Sequence, residues 1–101
     1  MLPLSFPREV VRDLLGITRA LYRAEKARTN LDAARLECLL EIGKQFRLAL
    51  DLSKYDPDTM GGRAARGWAE KATQALGEFV ADSELMAPAV AATAERLRRV
   101  R

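Results

Sequence analysis

Apolar residues recur along the first half of the chain at alternating spacings of three and four. Val10, Leu14, Ile17, Leu21, Ala24, Leu31, Cys38, Ile42, Ala49 and Leu52 fall on one such repeat, which runs through Arg28, Arg35 and Gln45 without losing phase. At 3.6 residues per turn this spacing keeps one side of an α-helix apolar. Leu36, Leu39, Leu40, Phe46 and Leu50 form a second stripe that widens the apolar surface further on. No proline lies between Arg8 and Leu52, and the only glycines there are Gly16 and Gly43. The pattern predicts one helix over 8–52, about 67 Å long at 1.5 Å per residue. The competing arrangement is a break near Thr29-Asn30, where Thr29 and Asp32 make a weak capping-box pattern. Pro7 suits a first helical turn, with Ser5 available as its cap.

The segment 53–62, SKYDPDTMGG, is the clear interruption. Asp56-Pro57 reads as a turn, or as an N-cap followed by proline at the first helical position. Gly61 and Gly62 each weaken a helix by about 1 kcal/mol, so the next helix is expected to be firm only from Arg63 to Val80. Ala65, Trp68, Ala72, Leu76 and Phe79 share one of its faces, with Arg66, Glu70, Gln74 and Glu78 towards the other. Asp82 or Ser83 is positioned to cap a last helix, and Pro88 sits near its start or kinks it. Met86, Val90, Leu97 and Val100 give that helix an apolar stripe.

These elements define an all-α chain with one domain over 1–101: a first arm at 8–52, a bend at 53–62, and a second arm at 63–100 jointed near 82–88. The expected architecture is a long helical hairpin or an irregular three-to-four-helix bundle. A 67 Å arm is far longer than a compact 100-residue domain, whose radius of gyration is about 13 Å. Self-association, as a homodimer or higher, is therefore expected to cover the wide apolar surface.

Composition narrows the chemistry. Of the 101 residues 49% are hydrophobic and 31% charged, a globular balance that lacks the charge excess of disordered chains. The chain has no histidine, which removes the commonest general base and metal ligand. Glu37 and Glu41 lie one turn apart with Lys44 nearby, a spacing that favours solvated ion pairing over metal ligation in a chain without histidine. Cys38 is single and is expected to be a small buried hydrophobe rather than a reactive thiol. Trp68 fits the core stripe. No cofactor is implied and no enzyme is expected. No run of apolar residues is long enough for membrane insertion, and the first residues have no signal-peptide pattern, so a cytoplasmic location is expected.

The net charge is +3, from 17 basic and 14 acidic side chains, and 13 of the basic ones are arginine. Arg28 and Arg35 are the anomaly, since they occupy apolar-repeat positions one heptad apart. They are expected to set register and partner choice, with Glu70 and Glu78 as counterions. With Leu14, Ile17, Leu21, Leu31 and Ile42 they make the expected protein-interaction stripe. Arg63 and Arg66 in GGRAARGW, with the terminal Arg96, Arg98, Arg99 and Arg101, are the candidate nucleic-acid or anion contacts. The glycines do not match a dinucleotide or P-loop pattern.

The function expected from these features is a non-enzymatic helical protein–protein interaction or assembly module. The alternatives are a small basic nucleic-acid-binding protein and an exported helical-hairpin protein of a secretion system. For the last, the Trp-x-Gly motif of small secreted hairpins would need tryptophan where Thr59 or Met60 stands.

Overall fold

Asp32 divides the first arm. Its backbone is extended, and its Oδ1 accepts from the backbone N–H of Ala34 at 3.1 Å and of Arg35 at 3.2 Å. Satisfying orphan donors in this way is worth about 1 kcal/mol and starts a new helix. The computed structural model, which describes residues 6–99, accordingly has α1 (Arg8–Lys26) and α2 (Ala33–Leu52) where one helix over 8–52 was expected. Leu31 lies in the turn between them and is 59% exposed, so its place on the apolar repeat does not reflect burial. Pro7 itself occupies the N-cap position of α1, without a side-chain cap bond. Ser5, Val100 and Arg101 lie outside the described residues.

The bend is shorter than expected, because α3 (Met60–Phe79) is helical through both glycines. Thr59 Oγ1 accepts from the N–H of Gly62 at 3.3 Å and donates to the carbonyl of Asp56 at 2.6 Å, folding the turn against the helix start. A Cβ on Gly62 would lie 2.1 Å from the Asp56 carbonyl oxygen and 2.6 Å from Pro57 Cα. The turn can pass this close only over a residue without a side chain, which offsets the helix propensity lost there. After α3, Ser83 Oγ accepts from the N–H of Met86 at 3.0 Å and opens α4 (Met86–Arg99). Pro88 falls in the first turn of α4, where its missing N–H removes no intrahelical bond.

Contacts at the helix ends fix the topology. Arg8 Nη1 donates to the Leu50 carbonyl at 3.1 Å and also reaches Ser53 Oγ, while Glu25 meets Arg35, so α1 and α2 run antiparallel. The Arg35 guanidinium lies 4.3 Å over the Phe79 ring, bringing the end of α3 to the start of α2. Arg96 of α4 reaches Asp13 of α1 at 3.0 Å. Each helix packs on the next and α4 packs back on α1, giving a four-helix bundle in which the α3–α4 seam is the thinnest between neighbours. Its radius of gyration, 14.1 Å, is close to that of a compact domain and excludes the extended hairpin.

The core joins Val11 and Leu14 of α1, Ile42 and Phe46 of α2, Ala69, Ala72 and Leu76 of α3, and Val90 and Leu97 of α4. The alanines let α3 approach α2, its most extensively packed partner, while Phe46 and Ile42 fill the space between layers. Leu14 and Ile42, expected at a contact between copies, are fully covered within one chain. Ile17 and Leu21 are half-buried against the same core. Gln45 is buried in α2, and its Oε1 has no hydrogen-bond partner among the described residues.

Candidate interaction surface

The two arginines singled out by the sequence meet at the α1–α2 turn. Glu25, buried near the end of α1, receives Arg35 Nε at 3.0 Å and Nη2 at 2.9 Å, both on Oε1. Arg28 reaches the same carboxylate at 3.4 Å. Hydrogen bonding from Arg35 holds the Glu25 carboxyl below the usual carboxylate range, against desolvation, and raises the Arg35 guanidinium in turn. The counterion is therefore Glu25. Glu70 pairs with Arg66 at 3.9 Å, and Glu78 accepts from Gln74 at 3.4 Å. This cluster ties α1, α2 and Phe79 of α3 together at one pole of the bundle.

The basic positions expected to contact nucleic acid are dispersed and largely engaged. Arg63 donates to the Asp58 carbonyl at 2.7 Å, Arg96 pairs with Asp13, and Arg98 and Arg99 both meet Glu95. Arg101 lies outside the described residues. Cys38 is exposed, contrary to the buried position expected, because it lies at the edge of the buried face of α2, whose centre runs through Leu39, Ile42 and Phe46.

A surface the sequence reading did not single out lies between α1 and α2. Leu15 and Leu39, both buried, and the 43%-exposed Leu40 form an apolar floor, with Gly43 leaving a dip in it. Arg19 and Arg23 rise from α1 on one side and Arg47 from α2 on the other; the lining contains no carboxylate. All three arginines are exposed, and none makes an ion pair among the described residues. The i, i+4 spacing of Arg19 and Arg23 was visible in the sequence. The approach of Arg47 was not, because it needs the break that folds α2 back along α1.

A second groove, between α3 and α4, is lined by alanines, Val90, Leu97 and Arg98 of α4 and by Glu70, Thr73 and Gln74 of α3. Among the described residues no group of three or more histidine, cysteine, aspartate or glutamate side chains is placed to hold a metal ion. No described helix is long and apolar enough to cross a membrane.

Fold and surface together define an all-α four-helix bundle with one arginine-walled groove. No protein-family model, curated protein or solved structure matches the chain.

Proposed function

We propose that this chain is a non-enzymatic protein-interaction module that docks another protein through the α1–α2 face. The observation that carries the reading is the groove itself, where three unpaired arginines flank an apolar floor. Exposed guanidinium groups beside a partly exposed leucine suit a protein surface, since arginine and apolar anchors dominate the energetics of such contacts. The engagement of Arg63, Arg96, Arg98 and Arg99 with groups of the chain itself weighs against the nucleic-acid alternative. A free, exposed Cys38 suits a reducing compartment, in keeping with a cytoplasmic setting.

The test is affinity capture of the tagged chain from its native cells, with and without nuclease digestion. A protein retained in stoichiometric amount after digestion supports the reading. Retention of nucleic acid alone, or of no protein above an untagged control, overturns it.

A further inference from the structure

We infer that the α1–α2 groove receives an acidic amphipathic helix of the partner protein, an inference that rests on the interaction reading above. Three features select this occupant. Arg19 and Arg23 stand one helical turn apart on α1, so carboxylates at i and i+4 of a facing helix match their spacing. Arg47 stands across the groove on α2, which places a cation on both flanks of the floor. Between them Leu40 is partly wet over the buried Leu15 and Leu39, and a leucine or methionine on the incoming helix would cover it.

Dimensions and surface texture agree with that fit. The stretch 15–23 of α1 spans about 12 Å at 1.5 Å per residue, room for two turns of a docked helix. The exposed positions from Gly16 of α1 to its C-cap Ala27 are Gly16, Arg19, Ala20, Arg23, Ala24, Lys26 and Ala27. None is acidic, and the half-buried Tyr22 between the arginines adds an aromatic side chain to the groove lining. The one carboxylate of this stretch, Glu25, is buried and already holds Arg28 and Arg35. A nucleic-acid backbone would satisfy the arginines but leave Leu40 exposed.

The decisive experiment is selection from a displayed library of helical peptides on the full chain, run in parallel on the R19E/R23E double variant. Both substituted side chains are exposed and unpaired, so the variant should keep the wild-type helicity and unfolding midpoint. The wild type should enrich peptides with aspartate or glutamate at i, i+4 beside a large apolar residue. The double variant and R47E should each bind those peptides about tenfold or more weakly, with K71E on α3 unchanged. R19E/R23E should itself enrich lysine- or arginine-bearing peptides. Selected peptides without acidic bias, or acidic peptides held equally by R19E/R23E, would overturn the inference. So would tighter binding of a 20-base-pair DNA duplex than of any selected peptide, lost in the same variant. If native capture yields a stoichiometric protein that R19E/R23E releases but whose bound segment is not an acidic helix, the interaction reading stands and the acidic-helix inference alone falls.

Discussion

Four glycines of α3 provide a direct test of how the second bend is built. At Gly62 an added Cβ would meet the Asp56 carbonyl oxygen at 2.1 Å and Pro57 Cα at 2.6 Å, whereas at Gly67 and Gly77 it would meet nothing within 4 Å. Ordinary C···O contacts lie at about 3.3 Å or more, so Gly62→Ala must move backbone by about 1 Å. Overpacking of this kind costs about 2 kcal/mol, and loosening the Thr59 cap costs about 1 kcal/mol more. Alanine recovers about 1 kcal/mol of helix propensity, leaving a net loss of about 2 kcal/mol. For a domain of this size that corresponds to a fall in Tm of about 8–16 °C. Gly67→Ala and Gly77→Ala keep the propensity gain without the clash and should each raise Tm by about 2–8 °C. Gly61→Ala should fall between, because its obstruction is the half-exposed Tyr55 ring, which can rotate away. Thermal unfolding followed by circular dichroism reads all four variants. A Gly62→Ala protein as stable as wild type, or a destabilised Gly67→Ala, would refute this account of the bend.

Glu25 should give the fold an acid-sensitive latch. Its carboxyl is held below its usual value of 4.5 by Arg35 and Arg28, so its contribution is fully present above about pH 4.5 and is lost as the pH falls through the lower native value. Glu25→Gln should lower the urea midpoint at pH 7 and flatten its decline in acid; identical acid profiles for the two proteins would contradict this. Gln45→Met should raise stability by about 1 kcal/mol, because it removes a buried oxygen without a partner among the described residues; a lowered urea midpoint would count against that reading. Cys38, exposed on α2, should react fully with a disulfide reagent in the folded protein, and protection lifted only by denaturant would show it to be buried.

The helical character and the apolar faces were legible in the spacing of apolar residues, and Leu76, Val90 and Leu97 are buried on the faces it gave them, whereas Leu14 and Ile42, expected between copies, are covered within one chain. The break at 27–32 was not legible, because a turn of that length happens to keep the repeat in phase and puts Leu31 on it. Hydrophobic period reports faces and is blind to an interruption that preserves register; the Thr29–Asp32 pattern was the weaker but truer signal of a break, although Asp32 and not Thr29 is the cap. The error propagated to the charges. In a continuous helix Glu25 and Arg35 would lie about 15 Å apart, so carboxylates of the second arm were the apparent partners for the buried arginines. Folding α2 back on α1 brings the two within 2.9 Å. The groove was hidden for the same reason, since Arg47 joins Arg19 and Arg23 only across the hairpin.

The closure of α4 onto α1 bears on how the chain acquires its structure. The first three helices meet successive neighbours across short turns, so their pairing costs little loop-closure entropy. The last helix instead finds its main partner at the far end of the sequence, as in the Asp13–Arg96 contact, and gains little from the adjacent α3. Its burial of Val90, Ala94 and Leu97 therefore depends on α1 already being held by α2. Contacts of large sequence separation are rewarded late on a folding path, which makes α4 the final element to dock and the first that can open. Amide protons of α4 should accordingly exchange through a subglobal opening, while those of α2, enclosed by α1 and α3, exchange only when the whole molecule unfolds.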